Sequence, residues 1–275
     1  MWRILCSALI LALAAWGLPS AQPAKAATYT VTNTLDTGTN SLRWAINQAN
    51  ASTGVADTIT FNIPGTDAGC VAGVCTIKPL STLPVLIDPA GVTIDGYTQP
   101  GAAYAGASTA AVIKIELDGS LMPVNITSIG LVVTSAHNVV RGLAINRFPS
   151  TGIAIGKLVG TDLAAANTIS GNHIGTNAAG TTDLGNGIDG VMLTQGAYNN
   201  TVGGDEPGER NVISGNDWDG VAVYGTQTNS NSVLGNYIGL NAAGTAVLGN
   251  TYYGVWVYGG AHTNYVGGNT PAWRN

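Results

Sequence analysis

Three aspartates near the middle of the chain carry the functional group that acid–base chemistry on a polysaccharide requires. Asp189 and Asp219 each stand directly before a Gly-Val dipeptide, and Asp217 lies two residues before Asp219. A glycosidase needs two carboxyl groups about 5–10 Å apart. A lyase needs a base, usually together with Ca²⁺ held by several carboxylates. These three aspartates are therefore the catalytic candidates.

The spacing of the aspartates also supports a structural reading. Asp189 and Asp219 are expected on adjacent repeats, but the next equivalent residue is Tyr253, so the acidic series has only two members. An aspartate at a corner stabilises it by accepting hydrogen bonds from nearby backbone amides. The three histidines occupy unrelated positions and predict no triad: His137, His173 and His262. An enzyme is the less favoured interpretation. No cofactor is predicted, and no set of residues supports Ca²⁺.

Aromatic residues cluster in the same part of the chain. Tyr224 and Tyr258 are predicted one repeat apart, and Trp256 lies beside Tyr258 on the same strand. Exposed rings on a flat face suit sugars, because a sugar ring presents an apolar C–H face. The alternative is that the rings pack under loops or under a following domain. The predicted ligand-binding aromatics are Tyr224, Trp256, Tyr258, Trp218 and Tyr253, with Tyr252 adjacent.

Two arginines complete the candidate site residues. Arg210 and Arg274 each close a six-residue insertion that follows a Gly-Gly pair, so we expect them at equivalent loop ends two repeats apart. One role is a clamp for acidic sugars, because the guanidinium fork matches a carboxylate. The favoured role is a surface salt bridge, for Arg210 with Glu206 or Glu209, which stabilises little.

The elements that must position these residues follow from internal repetition. The block Asn172–Asn186 returns as Asn236–Asn250, 64 residues later. Self-similarity at a fixed period is typical of a solenoid, in which each unit buries its apolar face against its neighbours. Short Gly-Val-x-Val-like tetrads recur within the period: Gly130–Val133, Gly152–Ile155, Gly190–Leu193, Gly220–Val223 and Gly254–Val257.

The tetrads alternate with Asn-x-Val-x-Gly pieces, which predicts three short strands per coil. Period-2 alternation of β-branched residues favours strands, and Gly and Asn tolerate the corners between them. We therefore predict an all-β right-handed parallel β-helix, with about 22 residues per coil plus loop insertions. Val221 and Val223 should point inward and Ala222 outward. The recurrent asparagines should stack about 4.8 Å apart at the corners.

The ends of the chain are predicted separately. Residues 1–26 have the n-region, apolar h-region and A-x-A site of a signal peptide, with an uncleaved anchor as the alternative. Residues 27–60 form a cap whose helix, 41–50, has Ser41 as N-cap and apolar spacing i, i+3, i+4, i+7. Residues 61–275 form the β-helix. Because the chain stops on the first residue of an expected strand, we predict that the same solenoid continues in a longer chain.

Composition and cysteine usage set the environment. Charged residues make up 9% of the chain and the formal net charge is −5, which argues against a nucleic-acid partner. Cleavage of the signal peptide would remove Cys6 and leave no transmembrane span. Cys70 and Cys75 are then expected to form a local disulfide in an exported protein, with two free thiols as the alternative.

Several segments resemble bacterial surface proteins of the parallel β-helix type that open with a CSLREA segment. Asp36–Asn50 resembles that opening segment, although Asn40 replaces its Cys and Trp44 its Glu. Asp57–Pro64, Val92–Pro100 and Ile115–Gly119 resemble early coils of such proteins. The resemblance implies a pectin-lyase-like fold and secretion or surface display, but no particular reaction.

Two functions follow as expectations. The first is a secreted or cell-surface module, structural, adhesive or glycan-binding, whose partners are polysaccharides or cell-surface glycans. The second is a polysaccharide lyase or glycoside hydrolase. A carboxylate or arginine cluster converging in one groove would favour the enzyme, whereas an aromatic surface without such a cluster would favour binding.

Overall fold

The computed structural model describes residues 25–107, 109–156, 164–270 and 274–275. The predicted signal peptide, with Cys6, lies almost entirely outside the described residues. Within these ranges, no helix is long and apolar enough to cross a membrane. The described chain is mostly β-structure, with one α-helix, α1, from Leu42 to Ala51. Three short 3₁₀ turns cover Gly96–Thr98, Gly119–Leu121 and Pro207–Glu209.

The strands are short, between two and five residues. The first ten are β1 (Thr28–Val31), β2 (Asp57–Phe61), β3 (Cys70–Val71), β4 (Val74–Ile77), β5 (Val92–Asp95), β6 (Ile115–Asp118), β7 (Leu131–Val133), β8 (Val139–Arg141), β9 (Leu143–Asn146) and β10 (Ile153–Gly156). The others are β11 (Thr168–Ser170), β12 (His173–Ile174), β13 (Val191–Thr194), β14 (Thr201–Gly203), β15 (Val212–Ile213), β16 (Val221–Tyr224), β17 (Ser232–Leu234), β18 (Tyr237–Ile238), β19 (Val255–Tyr258) and β20 (Tyr265–Val266).

These strands form three sheets. The first sheet has the order β1-β2-β5-β8-β11-β14-β17-β20, the second β7-β10-β13-β16-β19, and the third β3-β4-β6-β9-β12-β15-β18. Apart from the antiparallel pair β3–β4, the pairings between these strands are parallel. From β5 onward the chain enters the first, third and second sheet in turn. Three consecutive strands, one from each sheet, are called here a three-strand unit.

Apolar side chains from all three sheets share one core. Ile153 and Ile155 of β10, and Val221 and Val223 of β16, are fully buried, as their inward orientation predicts. Their register partners in the neighbouring unit are also aliphatic, for example Leu131 beside Ile153. A strand with β-branched residues at alternate positions therefore buries one face against the core while its backbone pairs with the units on either side.

The outward face of the second sheet, on which Ala222 lies as predicted, is buried over much of its length. Ala222 is only 1% exposed, and Val132 and Ala154 in the same column are buried as well. Ala222 lies between Met192 of β13 and Trp256 of β19 in the parallel register. An alanine flanked by two longer side chains about 4.8 Å away on either side loses its contact with water.

Asparagine ladders connect the units, as predicted. In one ladder the Nδ2 of each side chain donates to the Oδ1 of the next, at 2.8–2.9 Å, along Asn138, Asn167, Asn200, Asn231 and Asn264. Two shorter ladders join Asn172, Asn211, Asn236 and Asn275, and Asn186, Asn216 and Asn250. The first ladder advances by 29, 33, 31 and 33 residues, which exceeds the predicted 22 because loops lengthen the units.

The predicted helix is confirmed, and its packing explains its sequence. The Ser41 hydroxyl accepts a hydrogen bond from the Trp44 amide, which satisfies one free N–H of the first turn. Leu42, Ala45, Ile46 and Ala49 form the buried face, and the helix packs against β1 and β2. The Arg43 guanidinium pairs with Asp36 at 2.6 Å, so this arginine anchors the helix locally.

A disulfide joins Cys70 and Cys75 across the β3–β4 hairpin, where the two residues face each other in register. It closes a small loop at the edge of the third sheet. In this sheet, β6, β9 and β12 separate the hairpin from β15 and β18. The latter two strands belong to the units that carry the predicted ligand-binding residues.

Candidate functional site

Strands β16 and β19 position the predicted aromatic residues. The parallel register sets Ala222 beside Trp256 and Tyr224 beside Tyr258. Alternation along β19 places Trp256 and Tyr258 on the same side of the second sheet, the side away from the aliphatic core. The preceding strand, β13, has Met192 and Thr194 at the equivalent positions, so the aromatic column begins only at β16.

Four rings form a continuous stack on this side of the sheet. The rings of Trp256 and Tyr258 are stacked and nearly parallel, with centroids 3.6 Å apart and an interplanar angle of 9°. Tyr258 continues to Tyr224 at 4.7 Å, and Trp256 continues to Tyr253 at 5.4 Å. Contacts of this kind hold aromatic rings in fixed orientations. The stack is therefore a rigid surface rather than a set of independent side chains.

The corner before these strands contributes two further rings. The Trp218 amide donates to the carbonyl of Ile188, and the Tyr252 amide donates to the carbonyl of Trp218, so the three residues are equivalent positions of successive units. The rings of Trp218 and Tyr252 meet edge to face, with centroids 5.9 Å apart. The backbone hydrogen bonds at the corner thus fix the positions of the two residues whose rings make this contact.

These elements enclose a cavity of about 330 Å³, called here the aromatic cleft. It is lined by Trp218, Asp219, Tyr252, Tyr253 and Trp256. The rings remain accessible: Trp218 is 49% exposed, Tyr252 65% and Tyr253 52%. Loops of the described chain therefore do not cover these three rings; the alternative that a following domain covers them stays a prediction. Of the predicted ligand-binding aromatics, Trp218, Tyr253 and Trp256 line the cleft, whereas Tyr224 and Tyr258 do not. Asp219, a catalytic candidate in the sequence analysis, also lines it.

Asp189 and Asp219 lie on adjacent units, as expected, and stabilise the corner. The Asp219 amide donates to Asp189 Oδ1 at 3.3 Å, and the Tyr253 amide donates to Asp219 Oδ1 at 3.0 Å. Each carboxylate therefore bonds the backbone of the following unit. Asp219 also lines the aromatic cleft, whereas Asp189 lies one unit behind it. Asp217 is exposed and does not line the cleft.

The electrostatics of this pair follow from their burial. Burial raises the pKa of Asp189 to about 7. The hydrogen bond from the Asp219 backbone amide lowers this pKa, and the negative charge of Asp219 raises it. Burial also raises the pKa of Asp219, against the lowering effect of the Tyr253 amide. Burial and the charges of Asp189 and Asp219 raise the pKa of Tyr258. The base of the cleft is thus a poorly hydrated acidic region.

The predicted salt bridge of Arg210 is wrong. Its Nε donates to the carbonyl of Gly235 at 3.0 Å, its Nη1 donates to the Tyr237 hydroxyl at 3.1 Å, and the guanidinium lies 4.3 Å from the Tyr237 ring centroid. The Glu209 carboxylate instead accepts a hydrogen bond from the Glu206 amide. Arg210 reaches the following unit because Tyr237 offers both a hydroxyl group and a ring face.

Arg274 is exposed and equivalent in position to Arg210. Asn211, Asn236 and Asn275 are consecutive members of one asparagine ladder, so the arginines that precede the first and last of them are two units apart. Neither arginine lines the aromatic cleft. The structure therefore does not bring the predicted arginines and aromatics together in one site.

One cluster was missed by the sequence analysis. Arg141 of β8 pairs with Asp95 of β5 at 2.7 Å, and its guanidinium lies 5.3 Å from the Tyr104 ring centroid. The Tyr104 ring packs on Tyr97 at 4.0 Å. Asp95 and Arg141 are register partners in the first sheet, although 46 residues separate them in the chain. Predicting this pair from the sequence would have required the register of β5 against β8, which depends on the lengths of the loops between them.

Other charged residues pair with one another: Asp118 of β6 lies 3.0 Å from the Arg147 guanidinium and 3.2 Å from Lys78 Nζ. His173 is buried, its Nδ1 donates to the Ala178 carbonyl at 3.0 Å, and burial lowers its pKa to about 4. Within the described residues, no group of three or more His, Cys, Asp or Glu residues could hold a metal ion.

Comparisons with known proteins add little. No family model matches the chain, and no curated protein matches it. Among solved structures, the chain is similar to ORF18 of Geobacillus virus E2, with 11% sequence identity and a TM-score of 0.26. The match covers 88% of this chain and 62% of that one. A likeness this weak carries no argument about fold or function.

Proposed function

We propose that this protein is a secreted or cell-surface β-helix repeat protein whose aromatic cleft binds glycans. The observation that carries the proposal is the convergence of four aromatic rings, from two adjacent units, around one cavity of about 330 Å³. Accessible rings held rigidly by stacking match the apolar C–H face of a sugar ring. A cavity of this size falls at the lower end of the range of about 300–1,000 Å³ for ligand sites.

The proposed architecture is a single right-handed parallel β-helix, with α1 covering its N-terminal end. The strict rotation of the chain through three parallel sheets supports a helical path. The asparagine ladders support a regular stacking of the units. The right-handed sense is supported by the rule that about 98% of crossovers between parallel strands of one sheet are right-handed. Such a scaffold keeps ligand-binding side chains of neighbouring units in fixed register.

Export is supported by two features. The first 26 residues have the composition of a signal peptide. The Cys70–Cys75 disulfide is typical of proteins that fold in an oxidising compartment. The resemblance to CSLREA-type surface proteins is consistent with both features and supports the proposal that glycan binding takes place outside the cell.

The glycan-binding proposal is tested with the purified full chain and a panel of soluble polysaccharides. Affinity electrophoresis measures retention, and release of reducing ends is measured in the same mixtures. We expect retention by at least one polysaccharide, and about tenfold weaker retention for Trp218→Ala, because about 1.4 kcal/mol of stacking corresponds to a factor of ten. Tyr265→Ala is the matched control, since Tyr265 is an exposed ring on the first sheet. Absence of retention, or equal weakening by both variants, contradicts the proposal.

The second candidate is a glycoside hydrolase that uses Asp189 and Asp219. One observation favours it: Asp189, with a pKa raised to about 7, lies one unit from a second carboxylate. Adjacent parallel strands are about 4.8 Å apart, which approaches the carboxyl separation of retaining enzymes, about 5–5.5 Å. Against it, Asp189 does not line the cleft, and both aspartates bond the backbone. Release of reducing ends that is lost in Asp189→Asn would favour the hydrolase.

A further inference from the structure

The aromatic cleft has an asymmetric lining. Four of its five lining residues are aromatic, and the fifth, Asp219, carries a carboxyl group. No lysine, arginine or histidine is among the lining residues of the described chain. A ligand in the cleft therefore meets ring faces and one carboxylate, without a cation that could pair with an acidic group.

Asp219 has a second carboxyl group beside it, from the preceding unit. Asp189 lies directly behind it, with Oδ1 3.3 Å from the Asp219 amide nitrogen. Tyrosines surround the pair: Tyr252 and Tyr253 line the cleft with Asp219, and burial, together with the charges of Asp189 and Asp219, raises the pKa of Tyr258. Arg210 is held by the Gly235 carbonyl and Tyr237 and does not line the cleft. The hydrogen bonds to the two carboxyl groups come from the backbone amides of Asp219 and Tyr253.

We propose that the aromatic cleft is selective for neutral polysaccharides and rejects polymers of uronic acids, with Asp219 accepting hydrogen bonds from sugar hydroxyls. A neutral pyranose presents C–H faces to the rings and O–H donors to the carboxylate, so both parts of the lining are satisfied. A uronate would bring a second carboxylate close to Asp219, and two like charges repel each other at short distance. The selectivity rests on the proposed glycan binding.

The test compares the binding of one neutral and one acidic polymer to the full chain. The probes are a soluble neutral β-glucan and polygalacturonate, measured by isothermal titration calorimetry at pH 8 and equal ionic strength. We expect polygalacturonate to bind at least about tenfold more weakly than the β-glucan. Asp219→Asn should narrow this difference to about threefold or less, because it removes the charge while its amide oxygen still accepts from Tyr253.

Asp217→Asn is the matched control. It removes the same charge from the molecule two residues away, at an exposed position outside the cleft. We expect it to leave the preference unchanged. Equal or tighter binding of polygalacturonate by the unmodified chain overturns the selectivity and leaves the proposed glycan binding intact. Equal narrowing by both variants also overturns it, because net charge would then explain the difference. If the chain binds neither polymer and is retained by no polysaccharide of the panel described above, the glycan binding is overturned and the selectivity with it.

Discussion

At the scale of single residues, the chemistry of the site depends on where Asp189 and Asp219 direct their oxygens. Each gives one oxygen to a backbone amide of the following unit, so both hold the corner that presents Trp218 and Tyr253. The sequence predicted this corner role from the short acidic series. It did not predict the burial of Asp189, because burial depends on what the neighbouring units place over the corner.

The raised pKa of Asp189 makes stability depend on pH in a defined direction. Between about pH 4 and 7 an aspartate in the unfolded chain has lost its proton, whereas Asp189 in the folded protein keeps it. The folded state then binds more protons, so the free energy of unfolding falls as pH rises through this window and is flat above it.

Asp189→Asn should abolish that part of the decline, because asparagine keeps the acceptor for the Asp219 amide and never ionises. As pH rises from 4 to 8, the unfolding free energy of the variant should increase by a few kcal/mol relative to that of the unmodified protein, since one pKa unit corresponds to about 1.4 kcal/mol. Urea titrations at several pH values measure it. A difference between the two proteins that does not change with pH would contradict the expected burial; Asp217→Asn serves as the exposed control.

At the scale of the elements, the repeated asparagines and the parallel register determine which side chains of neighbouring units lie next to each other. The ladder residues were predictable because they recur before each Val-x-Gly piece. The backbone conformation of the residue before each member of the longest ladder was not predictable. These residues have a left-handed backbone although none is glycine: His137, Ala166, Asn199, Ser230 and Thr263. The ladder bonds hold these residues in a conformation that their own propensities disfavour.

The asparagine ladder should be costly to interrupt. Asn200 accepts from the backbone and the side-chain amide of Asn167 and donates to the Ala164 carbonyl and to Asn231. Asn200→Ala leaves these buried groups without partners, so we expect a loss of about 2–4 kcal/mol in unfolding free energy. Asn47→Ala, at an exposed position on α1, should change it by less than about 0.5 kcal/mol. Equal effects of the two substitutions would show that the ladder does not stabilise the fold.

The two faces of β16 provide a second test at this scale. Val223→Asp should destabilise the protein by several kcal/mol, because it places a charge in the aliphatic core. Ala222→Asp should also cost more than about 2 kcal/mol, since Ala222 is buried between Met192 and Trp256. Thr226→Asp, at an exposed position after the strand, is the control. Chemical denaturation measures all three, and a neutral effect of Ala222→Asp would contradict the burial of this face.

At the scale of the whole molecule, the units differ in how much they bury. The core residues of β16 are fully buried, whereas Val257 of β19 is 41% exposed and Val266 of β20 is exposed. The repeat predicted the sheets and the aromatic column from local spacing alone. It did not predict the Asp95–Arg141 pair or the partner of Arg210, because those contacts depend on loop lengths that differ from unit to unit.

Local opening should follow this gradient of burial. In a stack where each unit contacts only its neighbours, amides of less buried units exchange faster. Hydrogen-exchange mass spectrometry should show faster exchange for β19 than for β16. A bound polysaccharide should slow exchange in β19, which carries Trp256, and leave β1 unchanged. Uniform protection along the chain, or slowing in β1, would contradict nearest-neighbour coupling.

The most direct test of the central claim, glycan binding by the aromatic cleft, uses the tryptophan indole N–H signals in two-dimensional ¹H–¹⁵N NMR spectra. Trp218 and Trp256 line the cleft, whereas Trp44 packs against Tyr29 beside the N-terminal helix. Titration with a soluble neutral β-glucan oligosaccharide should shift the Trp218 and Trp256 signals with one common saturation curve and leave the Trp44 signal in place. Saturable shifts of Trp44 with unchanged Trp218 and Trp256 signals would place the ligand elsewhere and contradict the account.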